Sequence, residues 1–194
     1  VILLCFNMSM TLSKSPTPEH LELQREFFRI DAATVARIQR LKPRIMGYAA
    51  ETLETLFDHL TSNPEVGDYF EISDNTRYLR DGMLAHCELV FSARFDKKYY
   101  EAVDQMGLRH SKLDYPSHAY SSAYANLMAG IMRHGLEADR KLDAEDLSAI
   151  TRISIYDMEL TIAAFFRHQL DKQAALYADT EKVRDMMADR RLAS

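Results

Sequence analysis

The chain has 194 residues, is 47% hydrophobic and carries a formal net charge of -5. That suits one domain with a sizeable core, and nothing in it reads as a basic, aromatic-interleaved nucleic-acid surface. Only six Gly and five Pro leave little punctuation for tight turns and argue for long helices.

The opening Val1-Ile2-Leu3-Leu4-Cys5-Phe6 is apolar but too short to span a bilayer, and it lacks the basic leader and cleavage site of a secretory signal. The chain starts with Val, so Met8 or Met10 reads as nearer the true start. Residues 1–17 read as a flexible lead-in. Pro18 then suits the first turn of a helix capped by Thr17, and Asp31 caps the next, with Val35, Ile38 and Leu41 at helical spacing. Pro43 marks a kink or a new start. A longer helix carries Ile45, Ala49, Leu53, Leu56 and Leu60, and Asn63-Pro64 ends it. A short helix from Val66 to Phe70 and a cap at Asp74 lead into a helix from Arg77 to Phe91. After a break at Phe95-Asp96, a helix runs from Asp96 to His110, with Tyr99, Val103 and Met106 in step with His110. Pro116 opens a Tyr-rich helix that stops near His134-Gly135. Asp143 opens the longest apolar run, Leu147 to Leu170. Residues 172–194 are highly charged and read as an exit helix, a linker or a frayed tail. The prediction is an all-α chain whose last two long helices pair as a hairpin.

Cys5 and Cys87 are isolated, as expected of reduced thiols in a cytoplasmic protein. No HExxH pair, zinc-spaced cysteines or Gly-rich phosphate loop occurs, and the carboxylates are too scattered to read as an acid/base pair. His110 is the residue with the most chemical promise. A lone helical histidine is more often on the surface or satisfied in a core, but a neutral imidazole is also the common axial donor to haem iron. His59, His118, His20, His134 and His168 read as surface residues near helix ends.

The ordered set Phe28-x-x-Asp31, Leu41-x-Pro43, Leu56-Phe57-Asp58-His59-Leu60, His86 with Phe91-Ser92-x-x-Phe95-Asp96, Tyr99, Met106-Gly107-x-x-His110, and Tyr120 with Tyr124 resembles the sensor globins. These are the haem domains of globin-coupled sensors and their protoglobin relatives. The resemblance covers about residues 20 to 170 and implies a globin fold, with an extra N-terminal helix and long terminal helices. The haem domain is then residues 18–171. It also implies haem b, with His110 as proximal iron ligand, Gly107 allowing close backbone packing, and Tyr120 hydrogen-bonding near that histidine to relay the ligand state. Burying several hundred Å2 of macrocycle at roughly 25 cal/mol per Å2 is worth on the order of 10 kcal/mol gross.

The cofactor pocket implied by the resemblance takes in Phe57, Leu79, Gly82, Met83, His86, Tyr99, Val103, Met106, Tyr120 and Tyr124. On the distal side the chain departs from the family. Phe57 aligns with a tyrosine that donates to bound oxygen, and Gly82 with a hydroxyl carried by some relatives; Leu79 and Met83 complete an apolar face. A lost hydrogen bond is worth about 0.5–1.5 kcal/mol, so oxygen should be held more weakly. His86 is a candidate donor or sixth ligand, and Met83 a candidate sixth ligand. The competing readings are that His86 packs near the haem edge and that Met83 is core.

The run Leu147–Phe166 is apolar on more than one face, and the family resemblance implies a homodimer through the last two helices. The chain is then a haem-binding sensor of a diatomic gas (O2, CO or NO) and not an enzyme, excised or standing alone. The alternatives are a haem-free globin-like interaction module, or a haem enzyme such as a nitric-oxide dioxygenase.

Overall fold

Pro18 occupies the first turn of helix α1 (Pro18–Phe27), where its missing N–H costs nothing. Thr17 caps that turn, accepting from the His20 N–H at 3.2 Å. Asp31 does the same for α2 (Ala32–Thr61), accepting from Thr34 N–H at 2.8 Å. These elements belong to a computed structural model that describes residues 16–62, 67, 73–112, 117–138 and 141–192. The Asn63-Pro64 stop, the short helix from Val66 to Phe70, Pro116 and Cys5 lie outside the described residues, as do the side chains of Asp74 and His118.

Helix α2 runs unbroken through Pro43 for 30 residues, so no new helix starts there. An interior proline costs about 3 kcal/mol or more. Ile38, Leu41, Ile45, Ala49 and Leu53 nevertheless stay in step on one buried stripe, and each large apolar side chain buried contributes about 1.5–3 kcal/mol. Packing therefore outweighs the lost hydrogen bond.

Four more helices follow: α3 (Ser73–Val90), α4 (Lys97–Lys112), α5 (Ser117–Glu137) and α6 (Ala144–Leu192). Asp96 caps α4, accepting from Tyr99 N–H at 3.0 Å. The start of α6 is a reciprocal box: Asp143 accepts from Asp146 N–H at 2.7 Å, and Asp146 accepts from Asp143 N–H at 3.3 Å. Arg37 of α2 pairs with Asp146 at 2.6 Å, fixing this end of α6 against α2. Phe95 takes a φ of 49°. That turn brings its ring edge-on to Tyr99 and Tyr156, with centroids 5.3 and 5.7 Å apart.

The last two helices do not form the expected hairpin. Helix α6 packs most extensively on α4, α5 on α2, and α5 touches α6 only lightly. Two glycines decide the pairing. A Cβ on Gly107 of α4 would lie 2.7 Å from the Phe165 nitrogen of α6, and a Cβ on Gly130 of α5 would overlap the Thr52 side chain of α2. Only glycine lets those backbones come so close. Asp104 of α4 then receives both Arg167, in an ion pair, and His168 at 3.2 Å. Gln169 donates to the Ser111 carbonyl at 3.1 Å, so α6 is fastened along the C-terminal half of α4.

Helix α6 continues through the charged C-terminal segment as helix, not as a frayed tail, and its described side chains from Asp171 onward are exposed. Among the described residues no helix is long and apolar enough to cross a membrane.

Candidate functional site

Helix α4 carries a buried stripe of Tyr99 and Val103 that continues into half-buried Met106 and His110. Because α4 is fastened to α6, that stripe faces inward at a fixed depth. Beside it lies a cavity of about 50 Å3, lined by Met83, His86 and Cys87 of α3, Met106 of α4, Tyr120 and Tyr124 of α5 and Ser154 of α6. His110 reaches this cavity through Tyr120, whose ring it meets edge to face at 4.8 Å between centroids.

Met83, His86, Met106, Tyr120 and Tyr124, which the resemblance assigns to a cofactor pocket, line one cavity. Phe57, Tyr99 and Val103 are buried in the surrounding core and do not line the cavity, while Leu79 packs half-buried against that core. Gly82 lies on the exposed side of α3, with nothing within 4 Å of where a Cβ would stand. It is one residue, about 100° of turn, away from cavity-lining Met83. Two expected surface histidines are engaged instead. His134 stacks on Tyr48 and meets Glu51 at 3.2 Å, and His168 is half-buried on Asp104.

Burial pushes the His110 pKa down to about 4, helped by the charges of His86 and Arg109. Its imidazole is neutral at pH 7. His86 shifts the other way. Burial alone would lower its pKa, but the Asp157 carboxylate and the hydrogen bond to it hold the value above the ordinary one. Burial likewise raises Tyr120 and Tyr124, which stay protonated hydroxyl donors, and it pushes the Cys87 thiol up to about 12.

Asp157 is the functional-site residue that sequence reasoning missed. It is fully buried on α6 and accepts from Tyr99 Oη at 2.9 Å, Tyr124 Oη at 3.1 Å and His86 Nε2 at 2.9 Å. Its signal was readable. An acid four residues after Ile153 and three before Leu160 stands on the buried stripe of a helix, and a buried carboxylate needs partners.

A sequence profile of the protoglobin family matches residues 17–171. The chain belongs to the protoglobin family. Its fold is similar to that of the globin domain of a Geobacter sulfurreducens globin-coupled sensor, with a TM-score of 0.65 at 13% identity, covering 78% of this chain and 99% of that one. No curated protein matches the chain. The all-α architecture is therefore the globin fold of the protoglobin family.

The site of this protoglobin-family domain can be tested against haem. The donor chemistry fits: His110 is neutral, and Val90, Phe91, Leu127 and Ile131 give the cavity an apolar wall. Among the described residues, Ser154 Oγ, buried in that wall, has no hydrogen-bond partner. The space is smaller than a macrocycle. Helix α3 rests chiefly on α2 and touches α4 and α6 only sparsely. The lining is chemically suited to the group, but the space as it stands is too small to hold it.

Proposed function

We propose that this protein is a haem-binding gas-sensor domain in which His110 is the axial iron ligand. The observation that carries the reading is the neutral imidazole of His110 packed against Tyr120 beside an apolar cavity. When bound, haem would supply the iron at which O2, CO or NO binds. The chain's own groups do the rest. Met83, Met106 and Leu127 exclude water, Tyr120 orients the His110 ring edge-on, and Phe57 offers no hydroxyl toward a ligand.

Displacement of His110 moves α4, and the close approach at Gly107 passes that movement to α6. Along α6, Phe166, Leu170 and Tyr177 are exposed at spacings of four and seven residues, a stripe suited to a second copy of the chain. The output is then a change in how two α6 helices pack, with ligand-bound and ligand-free states differing in population. The protein acts as a cytoplasmic binding domain, not as an enzyme.

One observation favours a second reading, a haem-free globin-like interaction module: the cavity is small, with His86 of its wall tied to Asp157. Absorption spectra of the haem-titrated protein separate the two. Haem binding predicts a stoichiometric Soret band that His110→Ala abolishes or shifts. An unchanged band in His110→Ala sinks the axial assignment, and no stoichiometric uptake by the wild type establishes the second reading.

A further inference from the structure

Helix α3 forms one wall of the cavity and is packed unevenly along its length. From Arg77 to His86 none of its side chains is fully buried, whereas Cys87, Val90 and the adjoining Phe91 are. That end is held further by Gln39 of α2, which donates to the Ser92 carbonyl at 3.2 Å. Two ion pairs, Arg80–Glu54 at 2.8 Å and Lys42–Glu88 at 2.5 Å, join α3 to α2. Both carboxylates are exposed, and such surface pairs are worth little. Toward the core, His86 Nε2 donates to Asp157 Oδ2 of α6 at 2.9 Å. That bond stands where the loosely packed part of α3 gives way to the well-packed part.

The bond can break without stranding either partner. A buried carboxylate left unpaired is costly. Asp157, however, keeps one hydroxyl on each oxygen when His86 leaves: Tyr99 Oη on Oδ1 at 2.9 Å and Tyr124 Oη on Oδ2 at 3.1 Å. His86 is only half-buried, so a short outward swing returns its imidazole to water. What is lost is one hydrogen bond to a carboxylate, worth roughly ten- to a hundredfold in an opening equilibrium. We propose that His86 and Asp157 form a releasable latch, and that α3 from Arg77 to His86 is a lid which this latch keeps closed over the cavity. With the latch released, the lid swings about its buried Val90–Phe91 end. Met83 then parts from Met106 and Leu127, and the cavity admits an apolar guest larger than its present volume of about 50 Å3. The proposal goes beyond the haem reading and does not rest on it, since it concerns the haem-free chain.

Hydrogen–deuterium exchange of the haem-free protein reads the lid directly. His86→Leu is close in volume but donates nothing, whereas His86→Gln keeps an amide N–H near the place of Nε2. Amides of residues 77–86 are expected to exchange about ten- to a hundredfold faster in His86→Leu, with α2, α4, α5 and α6 keeping their wild-type protection. His86→Gln is expected to restore most of the protection. Tyr99→Phe removes a hydroxyl from the other carboxylate oxygen and should leave residues 77–86 no faster than the rest. His86→Ala carries the test where His86→Leu does not fold.

A second readout is the fluorescence of the dye anilinonaphthalene sulfonate, which brightens in apolar surroundings. It should rise several-fold with His86→Leu and stay near the wild-type level with His86→Gln. Wild-type exchange at residues 77–86 in a folded His86→Leu, a rise shared equally by all helices, or a His86→Gln that behaves like His86→Leu would each overturn the latch. Failure of the wild type to take up haem overturns the proposed function alone, because every readout of the latch is taken on the haem-free chain.

Discussion

His110 and His86 share one cavity region yet shift in opposite directions, because one is buried beside like charge and the other beside a carboxylate. The signs carry through to stability. An unfolded histidine titrates near 6.5, and His110 in the folded haem-free protein near 4. Between those values the unfolded chain binds more protons, so stability falls as pH drops from about 6.5 toward 4. Urea unfolding of the haem-free protein should lose on the order of 2 kcal/mol between pH 7 and pH 5 through His110. His110→Phe should remove that part of the slope. His86 acts on the other side. Its raised value gives a contribution that is complete below about 6.5 and lost as pH rises through the folded value. A slope on the acid side that is indifferent to His110→Phe would mean the imidazole is better solvated than its place against Tyr120 implies.

At the scale of the elements, glycine means different things at different positions. Gly107 stands where α4 meets the α6 backbone, whereas Gly82 stands in open space on α3. Gly107→Val should cost about 1–3 kcal/mol, because the obstructing atoms, Ala164 Cβ and the α6 backbone at Ala164 and Phe165, cannot swing aside. Gly82→Ala should stabilise by up to about 1 kcal/mol through helix propensity alone, with the haem spectrum unchanged. Chemical denaturation of the two variants checks both signs. The caps at Thr17 and Asp31 were legible because capping is local chemistry. The course of α2 through Pro43 was not, since it depends on the stripe from Ile38 to Leu53 finding a partner surface.

Across the whole molecule, α6 is both a wall of the core and a rod that continues past it. Its Ile150, Ile153, Tyr156 and Asp157 side chains are fully enclosed, whereas Leu170, Leu176 and Tyr177 are exposed. Leu170→Glu is expected to convert a dimer to a monomer in size-exclusion chromatography with light scattering, with helicity and haem uptake retained. A wild type that is monomeric at all concentrations would remove α6 as a subunit interface.

By itself, the sequence determined the all-helical class, the caps at Thr17 and Asp31 and the globin resemblance. All of these rest on neighbours a few residues apart or on the order of motifs along the chain. Only the tertiary structure decided which helices pair, that Gly82 faces outward, and that Asp157 gathers His86, Tyr99 and Tyr124. Those outcomes depend on contacts between residues 33 to 71 positions apart, or on which face of a helix its neighbours cover. Neither is written in local spacing. A buried carboxylate announces only that partners exist, and the packing of four helices around it selects them.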